Sequence, residues 1–140
     1  MFNFLKNKKN YINKNKEILK TAALLVHVAR IDENYTKKEK EIVRKAMIEL
    51  SSKNEKIEEI LSKAEEIEKN SNQILDFTKE VKNMKEDSKI KIVEILWNII
   101  YSDGNPDMYE NSIMRRLTGL LYLDPKIVGD IKEKTINNLK

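Results

Sequence analysis

Apolar residues recur along the chain at spacings of three and four, the period of an α-helix with one buried face. Ile18, Ala22, Leu25, Val26 and Ala29 set one such stripe, and Ile42, Ala46, Met47 and Leu50 set a second. Ile57, Ile60, Leu61, Ala64 and Ile67 form the cleanest amphipathic stripe in the chain. After a break at 70–72, Ile74, Phe77, Val81 and Met84 continue the pattern. The stretch from Ile90 to Tyr101 is apolar around most of its circumference, with Ile92, Val93, Ile95, Leu96, Trp97, Ile99 and Ile100, and is expected to be the most buried helix. The strongest turn signal, Asp103-Gly104-Asn105-Pro106-Asp107, follows it directly. A further helix is expected from about Met108 to Tyr122. Asp124-Pro125, a cap residue followed by proline at the first helical position, opens a last one containing Ile127, Val128 and Ile131.

The pattern predicts an all-α fold, a single-domain bundle of about seven helices. A length of 140 residues agrees with one core, since a chain of this size buries about 68–70% of its unfolded surface. Composition narrows the chemistry. Without cysteine there is no disulfide scaffold, thiol nucleophile, zinc ribbon or iron–sulfur cluster, and a single histidine excludes a paired-His metal site. Three glycines and two prolines leave no phosphate-binding loop and no dinucleotide fingerprint.

The formal charge of +4 is unevenly placed. Residues 1–16 hold Lys6, Lys8, Lys9, Lys14 and Lys16 and no acid, while the rest of the chain carries 22 basic against 23 acidic side chains. This divides the chain into a basic N-terminal arm, 1–16, and a nearly neutral helical domain, 17–140. Nucleic acid is not an expected partner, because phosphate recognition needs Lys and Arg gathered on a folded face. Phe2, Phe4 and Leu5 beside the five lysines allow weak contact with anionic lipid as well as a packed or frayed first helix. The apolar start is too short for a signal core, and no apolar run approaches the roughly 20 residues a bilayer crossing needs.

An internal repeat carries the functional interest. At an offset of 71, residues 31–45 (IDENYTKKEKEIVRK) and 102–116 (SDGNPDMYENSIMRR) share five of fifteen positions. Asp32 matches Asp103, Asn34 matches Asn105, Glu39 matches Glu110, Ile42 matches Ile113 and Arg44 matches Arg115. Each acidic turn follows an apolar helix and precedes an amphipathic one, so the bundle is expected to contain two pseudo-symmetric helix, acidic turn, helix units.

These residues resemble the tellurite-resistance TerB family, whose halves carry an apolar helix running into Ala-Asp-Gly and, further on, a glutamate. Here the two versions read Ile31-Asp32-Glu33 with Glu39, and Ser102-Asp103-Gly104 with Glu110. The upstream strings LLVHVAR and EILWNIIYSDG are similar too, and the resemblance covers most of residues 17–133. Ile31, Ser102, Glu33 and Pro106 depart from the family pattern. The resemblance implies an all-helical bundle, a bacterial cytoplasmic protein and an association with metal or stress resistance at the inner-membrane face.

The candidate metal residues are Asp32, Glu39, Asp103, Asn105, Asp107 and Glu110. Asp103, Asn105 and Asp107 fall at the first, third and fifth positions of a turn, as in a calcium loop. An EF-hand would also need glutamate where Met114 stands and glycine where Met108 stands. An oxygen-only set favours Ca²⁺, Mg²⁺ or Mn²⁺ over zinc or copper. Against this, Thr36-x-x-Glu39 is a capping box and Asp107-x-x-Glu110 its close relative, which would spend both glutamates on backbone amides. Asp32 and Asp103 lie near helix C-termini, where an anion is disfavoured, so Arg44, Arg115, the next helix's N-terminus or a bound cation should offset them. His27, equivalent to Asn98 in the repeat, is expected to be a hydrogen-bonded core or boundary residue. Trp97 and Phe77 are expected in the core, and the Lys/Glu run from 53 to 69 on a solvated helix face with i,i+4 pairs.

Two functions of different class follow. The first is a non-enzymatic protein whose acidic turns take a divalent cation or a basic partner. The second is a protein–protein interaction adaptor at the inner-membrane face, with structural turns and a groove or the arm recruiting a partner. An enzyme is disfavoured, because no nucleophile or cofactor motif accompanies the carboxylates.

Overall fold

The computed structural model describes the backbone over residues 2–31, 35–50, 56–71, 73–103 and 108–139, and side chains within those ranges except at 2–15, 103–111 and 139. Among the described residues the fold is all-helical. The elements are α1 (Phe2–Ala29), α2 (Lys37–Leu50), α3 (Ile57–Asn70), α4 (Leu75–Val81), α5 (Glu86–Ile100), a single 3-10 turn (Tyr101–Asp103), α6 (Met108–Leu120) and α7 (Pro125–Leu139). The expected boundaries hold closely. α3 ends at Asn70, with Ser71 extended behind it and its hydroxyl donating to the Asp76 carboxylate at the start of α4. α7 opens as its sequence predicts, with the Asp124 carboxylate accepting the Lys126 amide at 2.9 Å and Pro125 at the first helical position.

The bundle is organised around the second half of α1. Ala22, Ala23, Leu24, Leu25 and Val26 are all fully buried, because α2, α3, α4 and α5 each pack against this helix. α5 is buried around most of its circumference, as its composition predicts, with Trp97 and seven other residues inside. The innermost stretch is nonetheless Ala22–Val26. Small residues at 22 and 23 let neighbouring helices close in, whereas α5 leaves Asn98 exposed and turns Lys91 and Glu94 toward solvent. The helical backbone of α1 also continues back through the basic arm to Phe2.

Buried polar groups tie the later helices down. The Trp97 indole N–H donates to the Val128 carbonyl at 3.1 Å, fixing α5 to α7. Lys89 is nine-tenths buried, and its ammonium donates to the Leu121 carbonyl at 2.9 Å. A cation there satisfies an orphan carbonyl at the end of α6 and complements the helix dipole. Phe77 and Trp97 are both core residues.

Candidate functional site

The first acidic turn is visible from its α2 side. Thr36 and Glu39 form the expected capping box: the Glu39 amide donates to the Thr36 hydroxyl oxygen at 3.1 Å, and the Glu39 carboxylate accepts from the Thr36 amide at 3.1 Å and from its hydroxyl at 3.0 Å. Glu39 is 3% exposed, so its carboxylate points inward along the helix start. Of the six residues singled out as metal donors, Glu39 is the one whose side chain is described. Asp32, Asn105 and Asp107, together with the Asp103 and Glu110 side chains, lie outside the described residues. The second capping pair, Asp107 with Glu110, lies outside them as well.

One bond relates the α2 start to the α5 exit. The Lys38 ammonium, in the first turn of α2, donates to the Ser102 carbonyl at 2.7 Å. Ser102 immediately precedes Asp103, so the start of α2 and the exit of α5 are neighbours at one end of the bundle. Residues 32–34 and 104–107 of the acidic turns lie outside the described residues. Lys38 was not among the candidates, since a lysine in a Lys-rich helix start gives no signal in one sequence.

Beside this end of the bundle lies a seam between α1 and α3. Glu68 of α3 reaches Arg30 at 2.6 Å through one carboxylate oxygen and His27 Nδ1 at 3.3 Å through the other. The Arg30 guanidinium also donates to the Glu65 carbonyl at 3.4 Å and lies 5.0 Å from the centre of the Tyr35 ring. Lys40 of α2 meets the Glu65 carboxylate at 3.4 Å. His27 is thus a hydrogen-bonded boundary residue, as expected, with its ring 5.5 Å from that of Phe77. The Lys/Glu run on α3 differs from expectation here. Leu61 and Ala64 turn into the core, which brings Glu65 and Glu68 to the margin of the same face, where they pair across helices. The described pair within that run is Lys56 with Glu59, three residues apart.

The Tyr35 hydroxyl is buried without a hydrogen-bond partner among the described residues. Burial, followed by the negative charge of nearby Glu65, pushes its ionisation well above the usual tyrosine range, with Arg30 and Arg44 opposing. Glu65 acts on it as a neighbouring charge, outside hydrogen-bonding geometry. Arg44, a candidate counterion for the acidic turn, is engaged by Glu58 at 2.6 Å and by Glu41. These bonds raise the guanidinium's proton affinity, and Arg44 holds the Glu58 carboxyl below its ordinary value. Its repeat partner Arg115 is exposed.

With seven α-helices among the described residues and the α2 start beside the α5 exit, comparison with known families decides the relationship. Residues 18–133 match the family model described as tellurite resistance protein TerB. The chain belongs to the TerB family. No curated protein and no solved structure matches it. Among the described residues of this TerB chain, no three of His, Asp and Glu come together in a way that would hold a metal ion. No helix among those residues is long and apolar enough to cross a membrane.

Proposed function

We propose that this TerB-family chain is a non-catalytic binding module whose two acidic turns act together, as one negatively charged edge, on a divalent cation or a basic partner. The observation that supports this is the Lys38–Ser102 bond, which joins the start of α2 to the residue before Asp103. Asp32, Asp103, Asn105, Asp107 and Glu110 are then the oxygen donors, suited to Ca²⁺, Mg²⁺ or Mn²⁺. Glu39 serves the site from behind, by holding the start of α2 in place. The role fits the tellurite resistance after which the family is named, in a cytoplasmic bacterial setting.

Titration calorimetry with calcium or manganese tests the reading. Wild-type protein should bind, Asp103→Asn should lose about tenfold or more in affinity, and Thr36→Ala should lose far less. Heat-silent titration at millimolar ion would remove the cation arm. The second reading, an adaptor at the inner-membrane face, is favoured by the inward burial of Glu39, which leaves the capping box a purely structural device. On that reading Asp103→Asn leaves both ion response and partner recruitment unchanged.

A further inference from the structure

On the α4 and α6 side of the bundle, an open groove of about 340 Å³ separates the two helices. Leu75, Thr78 and Lys79 of α4 and Lys82 just after it follow one another at helical spacing along one wall, and Gly119 and Leu120 of α6 with Tyr122 beyond its end form the other. Three features set it apart. Two of the three large hydrophobic residues most exposed among the described ones sit in it, Leu75 at 52% and Tyr122 at 74%. At Gly119 an added Cβ would meet nothing within 4 Å, so this part of the wall faces open space. Lys79 and Lys82 take part in no ion pair among the described residues, and no acidic residue lines the groove. Lys16, Lys40, Lys56 and Lys91 are examples of lysines that do meet glutamates.

Tyr122 adds an independent mark. It sits at φ 57°, the left-handed conformation that favours glycine. The Leu123 amide donates to the Thr118 carbonyl at 3.0 Å and the Tyr122 amide to the Gly119 carbonyl at 3.2 Å. This is the double bond pattern that commonly closes a helix on a glycine. A bulky aromatic there carries a conformational cost, and the residue gains little burial in return. What it does instead is stand over the groove, 5.9 Å from the Lys82 ammonium. The Lys89 bond to the Leu121 carbonyl holds this helix end in place from the inside.

We infer that this groove docks an acidic peptide segment of a partner protein, one apolar side chain entering beside Gly119 and Leu75 while carboxylates meet Lys79 and Lys82. The surface is concave and would seat a side chain, whereas a lipid surface is met by protruding apolar residues on a convex face. Two lysines without an arginine neutralise too few phosphates for a nucleic acid. The charge is opposite to that of the acidic turns, so this docking stands apart from the function proposed for them.

Selection of a random peptide library displayed on phage against the full chain tests the inference, followed by fluorescence polarisation with the enriched peptides. The expected consensus combines Asp or Glu with a large apolar residue. Binding should weaken about tenfold in Lys79→Glu/Lys82→Glu and be blocked in Gly119→Leu, a substitution that fills the hollow and favours the helix. Circular dichroism should show both variants folded. A Lys- or Arg-rich consensus, no enrichment, or enriched peptides indifferent to Gly119→Leu would overturn the inference. So would phosphatidylserine vesicles that bind wild-type protein and are lost on the lysine changes while no peptide is enriched. Concentration-dependent light scattering abolished by Gly119→Leu would make the occupant a second copy, and would overturn it likewise.

Discussion

Between α1 and α3, Glu68 bridges His27 and Arg30, and Lys40 closes on Glu65 from α2. Between α4 and α6, Lys79 and Lys82 face a hollow beside Leu75 and Tyr122. Both seams join amphipathic helices with lysine or arginine at the margin. In the first, the apolar residues under the charges are buried, Leu61 and Ala64 of α3 among them, and Arg30, His27 and Lys40 each meet a carboxylate. In the second, Gly119 supplies no side chain to fill the gap, so Leu75 stays half exposed and the lysines stay open to other partners. Margin charge alone therefore says little about whether a helix seam is closed. What decides it is the size of the side chains beneath and the sign of the charge opposite.

The largest expected contrast lies in the apolar residues themselves. Leu61→Ala should destabilise the protein by about 2–5 kcal/mol, since the leucine is 1% exposed and its removal leaves a cavity in the core. Leu75→Ala, the same truncation in the open seam, should stay within about 0.5 kcal/mol of wild type. Urea denaturation of both variants reads the difference. Similar losses from the two would mean that the groove closes in solution.

A smaller contrast separates the charges. Glu68→Ala removes the carboxylate from a half-buried Arg30 and from His27 together, which should cost about 1–3 kcal/mol. Lys82→Ala removes a charge with no carboxylate opposite among the described residues, and its loss should be within the scatter of surface substitutions. Thermal unfolding of the pair, each measured at low and high salt, checks this. The Glu68 effect should shrink only partly with salt, because a pair this sheltered is weakly screened.

Much of the closed seam and little of the open one was legible in the sequence. Three-and-four spacing located the helices because each has an apolar face to bury. The Thr36–Glu39 box was readable because it is a local device spanning a single turn. The same locality explains the misreading of Glu65 and Glu68. Within their own helix they look like one more solvated Lys/Glu run, and only the packing of α3 on α1 turns them toward Arg30 and Lys40. Lys38 and Ser102 are 64 positions apart, so their bond has no sequence signature. Tyr122 gave no signal either, because a glycine-like conformation cannot be read from a tyrosine.

The finest test of the contrast is Tyr122→Gly. Left-handed backbone disfavours a tyrosine, so glycine at this helix end relieves a cost, offset in part by glycine's greater freedom in the unfolded chain and by losing the ring's contact with Lys82. The balance should be a gain of about 0.5 kcal/mol, read as a small rise in urea midpoint at unchanged slope. Tyr122→Asn, which also tolerates this conformation, should behave similarly. A substitution that leaves the fold as stable or more so, yet weakens peptide docking, would mean that the tyrosine is held there for its exposed ring. If both variants instead lose stability by about 1 kcal/mol or more, the ring is a packing element of the α6 end, and the two seams differ less than their geometry suggests.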